Sequence, residues 1–219
     1  MESTEFLLLR HGESEGNLLK IFSGHNDVDL TERGVKQAKA AAEFLLTQEV
    51  DIICSSDLRR AYNTAIEFSK LSGVEISYVS ENLREIFVGE YEGLQTSQII
   101  DKYDSNFSSY YIDNFGIYSF PGGETTYEAG VRFYNELKLI GRKYKGKRIL
   151  VATHSGVIRS FWGIVNDVPR AELGTKFLFP TNASVSRVLF DGDSFIPKSY
   201  SESDYLNEVG FIDYTKARV

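Results

Sequence analysis

Apolar and polar positions follow two rhythms along this chain. Residues 6–9 form a short apolar run, the signature of a buried strand. Thr31 can cap a helix with Glu32 in its first turn, and Val35, Ala38, Ala42 and Leu45 then share one face. Ile52, Ile53 and Cys54 predict a second strand, and Asp57 is the expected cap of a helix running to about Lys70. A third strand is expected near residues 76–79. Thr125 and Glu128 have capping-box spacing, with Phe133, Leu137, Ile140 and Tyr144 at the helical period behind them. Residues 149–152 predict a fourth buried strand, followed by a helix carrying Val157, Ile158, Phe161, Trp162 and Val165. Residues 185–190 and the pair Phe195-Ile196 flank Asp191-Gly192, a hairpin signal, and Pro197 marks an edge.

Strands alternating with helices predict an α/β fold: a three-layer α/β/α sandwich with a mostly parallel central sheet. Residues 1–219 read as a single domain. Residues 86–123 break the rhythm, with Tyr103, Phe107, Tyr110, Tyr111, Phe115, Tyr118 and Phe120 set among Ser, Asn and Asp. This stretch is expected to be a loop-rich, lid-like insertion. Its rings either bury one another or line a leaving-group pocket.

Composition narrows the function. The 219 residues include Lys+Arg 24 and Asp+Glu 31, a net charge of −7, with 42% apolar residues and one cysteine. That excludes collagen, low-complexity disorder and a disulfide scaffold. Cys54 has no partner in the chain, so a reducing, cytoplasmic setting is expected. The longest apolar runs fall short of a membrane span, and residues 1–5 are polar and acidic, unlike a secretory leader. No basic stripe suggests a nucleic-acid partner; the cluster at 142–148 reads as a solvated helix end and turn. The edge hairpin leaves room for a homodimer.

Ligands of open parallel sheets bind beyond the carboxyl ends of the strands. After the first strand comes Arg10-His11-Gly12-Glu13-Ser14-Glu15-Gly16-Asn17, and after the second Ser55-Ser56-Asp57-Leu58-Arg59-Arg60. Glu81-Asn82-Leu83-Arg84-Glu85 follows the third and His154-Ser155-Gly156 the fourth. Two of the three histidines, several arginines and a carboxylate therefore gather on one edge. The set suits phosphoryl transfer. Guanidinium forks match phosphate oxygens, a neutral imidazole is a competent nucleophile, and a carboxyl group can shuttle a proton.

These segments closely resemble the histidine phosphatase superfamily, also called the phosphoglycerate mutase-like family. The carriers are residues 8–17, Ser55 to Ala61 with Thr64-Ala65, Leu83-Arg84-Glu85 with Gly89 and Glu92-Gly93, Pro121-Gly122-Gly123-Glu124, and residues 151–159. They stand in the family's order over about the first three-quarters of the chain. The resemblance implies His11 as the nucleophile that becomes phosphohistidine and Arg10, Arg60 and His154 as the phosphate clamp. It implies Asn17 as a further phosphate donor, Ser23 and Gly24 as the substrate loop, and Ser155 as a backbone donor. Glu85 is the implied general acid/base, and no metal or other cofactor is expected. Asn63 stands where many members carry Gln, and Ser155 where many carry Gly. His25 reads as a loop histidine and Cys54 as a small buried hydrophobe.

Three reactions fit: a metal-independent phosphomonoesterase acting on a small phosphorylated metabolite, a phosphoglycerate mutase, or a phospho-ligand binder without catalysis. The family's mutases draw arginines from the insertion. Here Lys102 is the one basic residue between Gln95 and Glu124, and Ile86-Phe87-Val88 follows Glu85. Both features favour hydrolysis, as does the Pro-Gly-Gly-Glu segment, which the resemblance places with the phosphatase branch. Every implied catalytic position is filled, which disfavours the binder.

Overall fold

The structure is a computed structural model, described over residues 3–103 and 105–210. β1 (Thr4–Arg10) leads through the single turn α1 (Glu15–Leu18) to α2 (Glu32–Leu46) and β2 (Ile52–Ser55). α3 (Arg59–Ser72) and β3 (Ile76–Val79) follow, then the short helices α4 (Thr96–Lys102) and α5 (Phe107–Asp113). The long α6 (Thr126–Lys143) precedes β4 (Arg148–Thr153), α7 (Ser155–Val165) and the one-turn α8 (Leu173–Lys176). β5 (Val185–Phe190) and β6 (Phe195–Glu202) close the sheet.

The six strands lie in the order β3-β2-β4-β1-β5-β6. The first four are mutually parallel, while β5 runs antiparallel to β1 and β6 to β5. Alternate residues of β1 serve opposite faces. Phe6 and Leu8 join a core with Phe133, Leu137 and Ile140 of α6 and Ile158 and Phe161 of α7. Leu7 and Leu9 join a second core with Ala41, Ala42 and Leu45 of α2 and Ala65 and Phe68 of α3. A strand buried on both faces needs apolar side chains at every position, which is why residues 6–9 are an unbroken run. The result is the expected α/β/α arrangement.

Two local expectations are corrected. Asp57 does not cap α3: Leu58 holds that position with no side-chain cap. The Asp57 carboxylate instead receives the Arg84 fork, with Arg84 Nε at 2.8 Å, because a charge-assisted pair outweighs a neutral N–H cap. The insertion is also less irregular than its composition suggests, since it contains α4 and α5. At seven residues each, these helices are too short for a helical period to register. Both alternatives for its rings are realised. Phe107 and Phe115 are buried in the core, while Tyr111 and Phe120 pack with them and also line the main cavity.

Beyond β6, Tyr205 stacks on Phe44 of α2 at 4.4 Å and Leu206 enters the second core.

Candidate active site

Strand pairing sets the height of the two histidines. Arg10 pairs with Thr153 at the ends of β1 and β4, so His11 and His154 step off neighbouring strands together. Their rings meet edge to face with centroids 5.2 Å apart. The His11 backbone N–H donates to Thr153 O at 2.9 Å, and the next amide, Gly12 N–H, donates to Thr64 Oγ1 at 3.1 Å. A Cβ at position 12 would overlap the Gly34 carbonyl oxygen at the start of α2, so only glycine lets the strand exit lie this close to the helix.

His11 Nδ1 lies 2.7 Å from Gly12 O. A carbonyl can only accept, so Nδ1 carries the hydrogen and Nε2 keeps its lone pair. Burial pushes the His11 imidazolium well below its ordinary value of 6.5, and the Arg60 and Arg10 charges push further the same way, against the Gly12 hydrogen bond. His154 is fully buried and shifted down by burial, then by Arg60 and His11. Its Nε2 meets Ser56 Oγ at 2.9 Å, and its Nδ1 has no hydrogen-bond partner among the described residues. A buried polar nitrogen left in that state points to a missing ligand atom.

Arg10 and Arg60 are both buried. Arg10 Nη1 donates to Pro180 O at 2.5 Å. Arg60 Nη2 donates to Gly24 O at 2.7 Å and its Nη1 to Asn26 O at 2.9 Å. Burial lowers the Arg60 pKa to about 10, so it remains a cation at neutral pH.

The Glu85 carboxylate sits against the first turn of α7. Its Oε2 accepts from Gly156 N–H at 3.0 Å and Ser155 Oγ at 3.3 Å; its Oε1 accepts from Val157 N–H at 3.1 Å and Ile86 N–H at 2.9 Å. The Glu85 carbonyl receives His25 Nε2 at 2.9 Å and Arg132 Nη2 at 3.1 Å. Arg132 in turn forks onto Glu124 at 2.8 and 2.9 Å. Burial alone would raise the Glu124 carboxyl, but the Arg132 and Phe87 N–H bonds outweigh it and hold it below its ordinary value.

These groups surround one cavity of about 550 Å³. Arg10, His11, Asn17, Ser23, Gly24, Arg60, Glu85 and Ser155 all line it, while His154 is packed against His11. The cavity's other walls are mainly apolar and aromatic, including Phe22, Val88, Tyr111, Phe120 and Phe179; Lys20 supplies one ammonium. Asn17 Oδ1 accepts from Ser14 N–H at 3.2 Å and Asn182 Nδ2 at 3.0 Å. Among the described residues no group of three or more His, Cys, Asp or Glu side chains could hold a metal ion.

Several supporting residues carried no signal in the sequence. Asn182, an isolated polar residue in a loop, also donates to His11 O at 3.2 Å; Ser56, which supports His154, was visible only as part of the segment after the second strand. Arg132 stands in no motif of the sequence. Its partner Glu124 was visible only as part of a motif.

A buried imidazole of fixed tautomer, with two guanidinium groups and a carboxylate lining the same cavity, is an arrangement that can carry phosphoryl transfer. The model of the histidine phosphatase superfamily (branch 1) matches residues 6–203, and the chain belongs to that superfamily. It is 34% identical over 212 residues to the metal-independent phosphoserine phosphatase of Arabidopsis thaliana, covering 96% of this chain and 87% of that protein. Phosphoglycerate mutase-like protein 4 of the same plant is 36% identical over 218 residues, covering 97% and 91%. A mycobacterial glucosyl-3-phosphoglycerate phosphatase solved with VO3 superposes with a TM-score of 0.82 at 26% identity, covering 91% of this chain and 99% of that one.

Proposed function

We propose that this protein is a metal-independent phosphomonoesterase that hydrolyses a small phosphorylated metabolite through a phosphohistidine at His11. The observation that carries the reading is the Nδ1–H hydrogen bond to Gly12 O, which leaves Nε2 unprotonated in a buried, cationic setting. In the first step His11 Nε2 bonds to phosphorus and the ester P–O bond breaks. Glu85 donates its proton to the departing oxygen. In the second step Glu85 takes a proton from water, the water oxygen bonds to phosphorus, and the P–N bond breaks, releasing inorganic phosphate. Arg10 and Arg60 neutralise the equatorial oxygens, and His154 Nδ1, carrying hydrogen, donates to one of them. Asn17, Ser23, Gly24 and Ser155 line the space for the ester.

The apolar walls support hydrolysis over mutation of a phosphoglycerate. Ile86 and Val88, just after Glu85, are buried and line the cavity, apolar where the resembling mutases carry polar residues. The named relatives point to phosphoserine and phosphoglycerate-type esters as the first substrates to assay. The lone Cys54, with burial raising its thiol to about 12, suits a reducing cytoplasm. The test is turnover of an aryl phosphate with and without chelator, beside a phosphoglycerate. Chelator-resistant phosphate release is expected. Phosphoglycerate interconversion faster than phosphate release would assign the mutase reaction instead.

A further inference from the structure

Among the described residues Arg60 forms no ion pair. Its guanidinium is aimed by two backbone carbonyls, Gly24 O at 2.7 Å and Asn26 O at 2.9 Å. Those carbonyls belong to a loop held from the other side by one carboxylate. Glu92 Oε1 accepts from His25 N–H at 2.7 Å, and Glu92 Oε2 accepts from Asn26 N–H at 2.8 Å. The two N–H groups belong to the peptide units that begin with the Gly24 carbonyl and follow it. Turning the His25 amide toward Glu92 therefore turns the Gly24 carbonyl of the same peptide unit toward Arg60, and the Asn26 amide anchors the residue whose own carbonyl is the second acceptor. Gly24 has φ +44°, and a Cβ there would overlap Glu92 Oε1, so the glycine and the carboxylate fit each other.

We propose that Glu92 is a positioning residue that orients Arg60 through the 24–26 loop. The proposal rests on the functional reading above, in which Arg60 holds the transferring phosphoryl group. It predicts a divided phenotype. The Glu85 carbonyl also meets His25 of this loop, but its carboxylate is held by Ile86 N–H and the first turn of α7 and its carbonyl by Arg132, so losing Glu92 should weaken the phosphate clamp and spare proton transfer.

The experiment measures vanadate binding, and kcat/KM on aryl phosphates of graded leaving-group pKa, for wild type, Glu92→Ala and Glu92→Gln. Glu92→Gln keeps the size and carries the test should Glu92→Ala not fold. Gly24→Ala, pressing on the same carboxylate, should behave alike. Vanadate binding and kcat/KM should each fall about 10-fold, with the leaving-group dependence unchanged. In an Arg60→Ala background the Glu92 change should cost less than about 2-fold, because the group it orients is gone. Wild-type vanadate affinity in the variants, additive losses in the double variant, or a steeper leaving-group dependence would overturn the proposal. Wild-type protein that binds no vanadate would overturn the functional reading, and this proposal with it.

Discussion

Neutrality of an imidazole in a cationic pocket is the chemical condition on which the site depends. His11 and His154 both have native pKa values below the 6.5 of an unfolded histidine. Their contribution to stability is therefore fully present above pH 6.5 and is lost as pH falls from 6.5 toward the native values, because the unfolded chain binds protons that the native site refuses. The denaturation midpoint should drop between about pH 6.5 and pH 5, and a His11→Gln, His154→Gln double variant should flatten that slope. An unchanged slope would show that neither imidazole titrates abnormally. Nitrogen shifts in NMR should show His11 as the Nδ1–H tautomer. Glu85→Gln should slow turnover most for esters with poor leaving groups, where protonation matters most. Equal slowing across leaving groups would move the acid role to another carboxylate. That His11, Arg10, Arg60, Glu85 and His154 come together at one edge was legible because each follows a strand in a recognisable motif. Asn182 was not, since an isolated polar residue in a loop says nothing of what it faces in space.

At the scale of elements, side chains outside the cavity hold the site through backbone. Arg132 of α6 grips the carbonyls of Asn82, Arg84 and Glu85 and is braced by Glu124. Arg132→Ala should lower kcat about 10-fold and leave vanadate affinity near wild type, the converse of the Glu92 phenotype. Loss of vanadate binding instead would mean that the two halves of the site are not held separately. Gly12→Ala should destabilise the fold by about 1–3 kcal/mol in urea unfolding, because the new Cβ meets backbone rather than a movable side chain. The strands and the long helices were readable from apolar period and capping residues, with Thr31 and Thr125 capping as their sequence context implied. The exceptions had physical causes. Asp57 found a stronger partner in Arg84, α5 packs its rings in a way that local periodicity does not encode, and α4 rests on a Gln95–Gln98 capping box and buried Ile99.

Across the whole molecule, function depends on strand order. β4 lies between β1 and β2, so the segments leaving residues 10, 55 and 153 converge although they are far apart in sequence. Alternation of strands and helices foretold a parallel sheet and its reactive edge, but not that order, which follows from long-range packing on two cores. Among the described residues no helix is long and apolar enough to cross a membrane. The proposed reaction turns on a covalent bond between phosphorus and His11 Nε2. Rapid acid-free quenching during turnover of a labelled aryl phosphate, followed by peptide mass spectrometry, tests it directly. An acid-labile phosphoryl group is expected on the His11 peptide and should be absent in His11→Ala. Steady turnover in His11→Ala, or label on any other residue, would contradict it.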